Sequence, residues 1–103
     1  MAAKKLIPTT YTIFMPNDKA GEHKKFTVNW PKEPTLAMLH TVLDPVFGKD
    51  WFEHVYTMDD RRSMFVDENG LLKHLPLNAH VSYQYYNGPI VGPAVVFDRC
   101  VWY

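Results

Sequence analysis

Apolar and polar residues alternate along several stretches of the chain, and this two-residue period is typical of β-strands with one solvated face. It is clearest where Phe26, Val28 and Trp30 alternate with polar side chains. Four stretches rich in β-branched, aromatic and apolar residues predict strands: 9–15, 25–30, 53–58 and 63–66. Turn-forming residues at 16–21 and a polar loop at 59–62 join them into two hairpins. A last strand is predicted over residues 95–102, and residues 90–97 are also apolar enough to form a buried strand.

Two helices interrupt this strand pattern. Thr35 is a good N-cap for a helix over residues 36–43, whose leucines and Val42 fall on one face, and the Asp44-Pro45 pair ends it. A second helix is predicted from Asn78, which follows Pro76, up to the Asn87-Gly88-Pro89 stop signal. The pattern therefore predicts an α+β fold, with an antiparallel sheet of about five strands and two short helices packed on one face. At 103 residues the chain is expected to form a single domain, 1–103.

Composition indicates a soluble protein with an aromatic core. Hydrophobic residues make up 47% of the chain and aromatic residues 15%, yet no run approaches the roughly 20 apolar residues of a membrane-spanning helix. The opening MAAKKLIP lacks the long apolar region of a signal peptide, so we expect a cytoplasmic location. Cys100 is the only cysteine and cannot form an internal disulfide, which agrees with a reducing compartment.

Charge is balanced overall but unevenly distributed. The formal net charge is zero, which disfavours nucleic acid and anionic membranes as partners. Residues 1–32 contain six lysines and two acidic residues, a net +4, whereas residues 33–70 contain eight acidic and three basic residues, a net −5. Such asymmetry orients a partner or a self-association, or it simply forms two solvated faces.

The segment from Ser63 to Phe97 carries a family resemblance. A strand ends in V-D-E-x-G, L-P-x-N opens the next element, and a G-x-A-V-V strand follows. The matching residues are Val66, Asp67, Glu68, Gly70, Leu75, Pro76, Asn78, Ile90 or Val91, Gly92, Ala94, Val95 and Val96. This pattern resembles a domain family of unknown function found mainly in bacteriophages, plasmids and bacterial mobile elements. The resemblance implies a phage or mobile-element setting and brings no established reaction.

Residues suited to catalysis are few. Ser63 and Ser82 do not lie in a nucleophile elbow, Cys100 lies in an apolar stretch, and no phosphate-binding glycine loop is present. The five histidines lack a compact metal-binding spacing. A small metal-dependent hydrolase remains an alternative, with His54, His74, His80 and Asp67 as its ligands and catalytic groups. We otherwise expect no catalytic residue, no metal ligand and no cofactor.

Tyrosines and arginines form the more informative candidate site. On the second predicted helix Tyr83 and Tyr86 are three residues apart and share a face, and exposed rings beside Arg61 and Arg62 would stack a base and clamp a phosphate. The same side chains would also serve as anchors of a protein interface, or as core residues. Asn78 is either a ligand contact at the helix start or its N-cap. The predicted ligand-binding residues are Arg61, Arg62, Asn78, Tyr83 and Tyr86.

These observations favour stoichiometric binding over catalysis. We expect a phage-type accessory protein of the counter-defence kind, a homo-oligomer whose target is a host protein or a nucleotide-like small molecule in the host cytoplasm. The aromatic content motivates the homo-oligomer, because it exceeds what one small core needs. A second alternative is a nucleic-acid-binding module that uses the lysine-rich first hairpin.

Overall fold

Two hairpins and a C-terminal strand build one antiparallel sheet. The computed structural model describes residues 5–49 and 51–102. Its elements, in chain order, are β1 (Ile7–Phe14), β2 (Lys24–Trp30), α1 (Leu36–Phe47), β3 (Phe52–Tyr56), β4 (Ser63–Asp67) and β5 (Ala94–Phe97). The strand order across the sheet is β2-β1-β5-β4-β3. The predicted α+β class and five-stranded antiparallel sheet are therefore confirmed.

Both predicted hairpins are present, and β5 joins them. β1 pairs with β2 and β3 pairs with β4, as the alternating patterns predicted. β5 lies between β1 and β4, with Phe97 opposite Tyr11 and Val95 opposite Phe65. All four residues of β5 are buried, which explains why this part of the sequence is continuously apolar.

The last strand is shorter than the predicted range because Arg99 ties the following residues elsewhere. Its guanidinium donates to the Thr9 hydroxyl at 2.9 Å and to the carbonyls of Pro31 and Lys32, both at 2.9 Å. These bonds connect the C-terminal residues to β1 and to the segment between β2 and α1. A fork of several N–H donors suits arginine for such a role.

Helix α1 covers one face of the sheet. Leu39, Leu43 and Phe47 are buried at four-residue spacing, and they share a core cluster with strand residues such as Phe65 and Phe97. The Thr35 hydroxyl accepts a hydrogen bond from the Met38 amide, so the predicted N-cap is confirmed. Among the described residues, no helix has the length and hydrophobicity needed to cross a membrane.

The predicted end of this helix at Asp44-Pro45 is wrong, since α1 runs on through Pro45 to Phe47. A proline so close to the C-terminal end removes only one late intrahelical hydrogen bond. Burial of Phe47, which is 6% exposed, favours the extra turn. The Gly48 amide then closes the helix by donating to the Asp44 carbonyl at 2.8 Å.

The second predicted helix is wrong. Residues 78–90, here called the covering segment, form consecutive turns on the sheet face opposite α1. Val81 and Ile90 of this segment are buried there against Met64, Val66 and Val96. Hence α1 is the only helix in the part of the chain that the structure describes, and the two sheet faces are covered by different kinds of structure.

Side-chain hydrogen bonds explain why the covering segment is not helical. Asn78 is fully buried, and its amide nitrogen donates to the Phe14 and Gly92 carbonyls, both at 2.9 Å. The Ser82 hydroxyl donates to the Asn78 carbonyl at 2.7 Å and accepts from the Ile90 amide at 2.8 Å. Tyr83 adopts a positive φ of 61°. Such bonds compete with the helical ladder, and a positive φ ends it.

Candidate functional site

The covering segment leaves part of its sheet face open. In the uncovered part lies a pocket of about 360 Å³, here called the polar pocket. Its lining residues are Thr10, Thr12, Phe14, Lys25, Arg62, Tyr85, Val96 and Asp98. Phe14 and Val96 belong to the buried cluster under the covering segment, so the pocket has an apolar floor and polar walls.

Neighbouring strands β1 and β2 supply one wall. Thr12 lies opposite Lys25 in the strand register, so both side chains project from the same face. Thr10 lies opposite Thr27, and their hydroxyls are 3.0 Å apart. This wall therefore presents hydroxyl groups beside one exposed ammonium group.

Asp98 adds a carboxylate at the end of β5. Its amide donates to the Thr10 carbonyl at 2.9 Å, and its Oδ1 accepts from the Thr10 amide at 3.2 Å. This reciprocal pairing fixes the carboxylate beside β1. Because a carboxylate accepts more than one hydrogen bond, Asp98 retains capacity for a donor on a ligand.

Arg62 and Tyr85 form the opposite wall. The guanidinium carbon of Arg62 lies 5.4 Å from the centre of the Tyr85 ring, which is within cation–π range. The Tyr85 ring is tilted against Phe14 with centroids 5.7 Å apart. The Tyr85 carbonyl accepts from the Met58 amide at 2.9 Å, which holds the covering segment against the loop that carries Arg62.

Asp59 organises that loop. Its Oδ1 accepts from the Arg61 amide at 3.1 Å and from the Thr57 hydroxyl at 2.8 Å, and its Oδ2 lies 3.7 Å from Arg62 Nε. The hydrogen bond from the Arg61 amide, followed by that from Thr57, holds the pKa of the Asp59 carboxyl below its usual value. Asp59 thus stays ionised near neutral pH and positions Arg62 at the pocket.

The pocket combines three kinds of contact. Lys25 and Arg62 provide two cations for an anionic group, the Tyr85 ring provides an aromatic face, and Asp98 accepts from a hydroxyl or amine. Arginine is well suited to phosphate because its planar fork donates two parallel hydrogen bonds. Together these groups suit the binding of a ligand that carries both an anionic and an aromatic group.

The residues predicted to bind a ligand do not gather at one place. Arg62 lines the polar pocket, and Arg61 is exposed on the turn beside it. Tyr86 lines a different cleft, and Tyr83 is 63% exposed. Asn78 is fully buried, with its side chain bonded to backbone groups. The predicted Tyr83–Tyr86 face is absent because the helix that would create it does not form.

Sequence reasoning missed most of the pocket. Its unpredicted polar and aromatic residues are Thr10, Thr12, Phe14, Lys25, Tyr85 and Asp98. The alternation in β2 did indicate that Lys25 and Thr27 share a polar face of this strand, because they alternate with its apolar residues. Tyr85 lines the pocket because of the turns within the covering segment. These turns were not predicted, since the segment was interpreted as a helix.

The residues of the hydrolase alternative lie on different sides of the sheet. His54 stacks on Trp102 on the α1 side, with ring centroids 5.9 Å apart, whereas His80 contacts His23 near Phe14 on the other side. Asp67 pairs with Lys73 at 2.9 Å. Within residues 5–49 and 51–102, no three His, Cys, Asp or Glu side chains are grouped to hold a metal ion.

Comparison with known proteins defines the class of this domain without defining its activity. A family model described as a domain of unknown function, DUF3846, matches residues 22–100, which include β2, α1, β3, β4 and β5. The chain belongs to this family. No curated protein and no solved structure shows a significant match to the chain.

Proposed function

We propose that this protein binds a phosphate-bearing, nucleotide-like small molecule in the polar pocket and does so without catalysing a reaction. The observation that carries the proposal is the convergence of Arg62, Lys25 and the Tyr85 ring around one pocket of about 360 Å³. A phosphate would bind between the two cations, and a base would stack on the tyrosine.

Asp98 supports a nucleotide over a simple anion. A carboxylate beside the cations lowers the affinity of the pocket for inorganic phosphate, because like charges repel. The same carboxylate accepts a hydrogen bond from a ribose hydroxyl or an exocyclic amine. The pocket is also small, so it suits one nucleotide better than an extended strand of nucleic acid.

Isothermal titration calorimetry with linear and cyclic mononucleotides tests the proposal, with adenosine and inorganic phosphate as partial ligands. We expect one molecule bound per chain and weaker binding of both partial ligands. Replacing Lys25 or Arg62 by Gln removes a charge-assisted contact of about 1.5–3 kcal/mol, so the Kd should rise about ten- to hundredfold. Recovery of the bound nucleotide unchanged would agree with binding without turnover.

Lys24 provides a matched control. It is adjacent to Lys25 in β2 but lies on the other face, near Ile13 and Pro45. Lys24→Gln changes the net charge by the same amount and should leave the Kd unchanged within about twofold. Absence of binding heat for every nucleotide, or equal weakening by both lysine variants, would contradict the proposal.

We place this binding activity in a phage-type or mobile-element accessory protein that acts in the host cytoplasm. Sequestering a nucleotide signal requires one protein per ligand and no reaction, which agrees with the counter-defence role expected from the sequence. A host protein as target is the alternative. The observation that favours a protein target is Tyr83, which is 63% exposed and could anchor a protein interface.

A further inference from the structure

The two edges of the sheet differ in how well they are protected against pairing with a further strand. β2 forms one edge and carries the exposed Lys24 and Lys25, which disfavour such pairing. β3 ends the other edge, and no strand among the described residues pairs with its outer side. Tyr56 of β3 is 75% exposed, and β3 contains one acidic residue, Glu53, and no lysine or arginine.

Apolar surface continues beside this edge. A cleft of about 470 Å³, here called the β3 cleft, lies between β3 and the residues around Leu71 and Ile90. Val55 lines it from the strand, and Leu71 and Leu72 line it from the following turn, each 80% exposed. Exposed leucines and an open strand edge in one place are typical of an interface.

The backbone of β3 is oriented for a further strand. The Glu68 amide donates to the Trp51 carbonyl at 3.0 Å, which shows that residue 51 directs its carbonyl towards the β4 side. Because backbone groups alternate along a strand, residues 53 and 55 point to the same side. The amides and carbonyls of Phe52, His54 and Tyr56 therefore point away from the sheet.

We propose that two copies of this chain pair through β3, antiparallel, around a two-fold axis at His54. His54 then lies opposite the partner's His54, and Phe52 lies opposite the partner's Tyr56. By symmetry Tyr56 lies opposite the partner's Phe52, and all three pairs are hydrogen-bonded pairs, since they use the outward-directed backbone groups. The two sheets join into one of ten strands, and Phe52–Tyr56 contacts give an aromatic cross-strand pair on each side of the axis.

Charge at the strand ends favours this antiparallel arrangement of identical chains. Lys49 precedes β3, and Asp59 and Asp60 follow it, and all three side chains are exposed. Antiparallel pairing brings Lys49 of each copy towards the partner's Asp59, whereas parallel pairing would bring lysine to lysine. Glu53 lies opposite the partner's Val55 and not opposite its own copy. The edge is therefore self-complementary, which suits the isologous contact of a two-fold dimer.

Sedimentation equilibrium of the full chain over micromolar concentrations tests the dimer. We expect the wild type to dimerise and Tyr56→Lys to weaken the dimer by about tenfold or more. Phe26→Lys is the matched control, because Phe26 is an exposed aromatic residue, 46% exposed, on the opposite edge strand. A monomeric wild type would overturn the proposal. So would a dimer that Phe26→Lys disrupts and Tyr56→Lys does not.

A cross-linking experiment tests the register and does not depend on the behaviour of Tyr56→Lys. Residues of a hydrogen-bonded antiparallel pair have Cα atoms about 5.5 Å apart, within disulfide range. His54→Cys in a Cys100→Ser background should therefore give a disulfide-linked dimer on mild oxidation, and Thr27→Cys in β2 should not. Dimerisation of the His54→Cys variant without any disulfide cross-link would refute this register. A β3 edge that binds an added extended peptide while the protein stays monomeric would refute the homodimer.

Discussion

Arg62 and Tyr85 are 23 positions apart in the sequence, and the Arg62 guanidinium carbon lies 5.4 Å from the centre of the Tyr85 ring. The contact depends on the Met58 amide, which donates to the Tyr85 carbonyl and joins the covering segment to the β3–β4 connection. Two segments that are distant in the sequence therefore combine into one wall of the polar pocket, with a cation over an aromatic ring.

The aromatic face should contribute measurably to ligand affinity. We expect Tyr85→Leu to raise the Kd for a mononucleotide about tenfold or more, because base–aromatic stacking contributes roughly 1–3 kcal/mol. Tyr85→Phe keeps the ring and should stay within about threefold of the wild type. Calorimetric titration measures both, and Tyr83→Leu, at a ring 63% exposed outside the pocket, is the control. Equal affinity for the Leu and Phe variants at position 85 would argue against stacking.

Asn78 should be a major determinant of stability. Its side chain donates two buried hydrogen bonds, to the Phe14 and Gly92 carbonyls, and accepts one from the His80 amide at 3.2 Å. Asn78→Ala removes these three hydrogen bonds from a buried site, and we expect the free energy of unfolding to fall by about 2–4 kcal/mol. Urea denaturation measures the change. Asn29→Ala, at an exposed position in β2, should change it by less than about 0.5 kcal/mol.

Burial of His54 predicts a pH-dependent stability. Burial lowers the pKa of this imidazole below its usual value of about 6.5, so the unfolded chain binds the proton more tightly than the folded chain. The lowered pKa of His54 therefore has no effect on stability well above about pH 6.5, and it lowers the free energy of unfolding as the pH falls below that value. His54→Phe should flatten the dependence of the free energy of unfolding between about pH 7 and pH 5. His74→Asn, at an exposed position, is the control. An unchanged slope in His54→Phe would contradict the assignment.

Two glycines with similar backbone conformations should respond differently to alanine. Gly92 has a φ of 79°, and a Cβ there would lie 2.6 Å from Leu75 Cδ1. Gly21 has a φ of 80°, and no described atom lies within 4 Å of its added Cβ. Both variants carry a backbone cost of about 1 kcal/mol, but Gly92→Ala must also displace Leu75. We therefore expect Gly92→Ala to lower the thermal midpoint more than Gly21→Ala, and a similar loss in both would contradict the packing argument.

Local patterns were sufficient to predict the hairpins, the Thr35 cap and the antiparallel sheet. Phe26, Val28 and Trp30 alternate with polar residues, and neither that period nor the cap depends on distant parts of the chain. The covering segment was not predictable in this way. Its conformation depends on Asn78 bonding to Phe14, 64 positions away, and this long-range bond overrides a local helix signal.

The candidate site was predictable only in part for the same reason. Arg62 was identified from residue type, but its aromatic partner was assigned to Tyr83 and Tyr86 by helical spacing. Turns in the covering segment instead direct Tyr85 to the pocket. Lys25 and Thr12 lie together in the site because they are opposite each other in the β1–β2 register. Alternation predicts the face on which each side chain lies, but it does not predict which residues of the two strands are paired.

The position of β5 has a consequence for how the chain acquires its structure. β1 and β4 have no direct pairing with each other, because β5 lies between them. A nascent chain that ends before Ala94 thus holds two separate hairpins, each with an open edge and an unburied apolar side. The two halves can cooperate only once β5 is available, so we expect the complete sheet to form only after residues 94–97 have been synthesised, and deletion of residues 94–97 to leave an aggregation-prone chain.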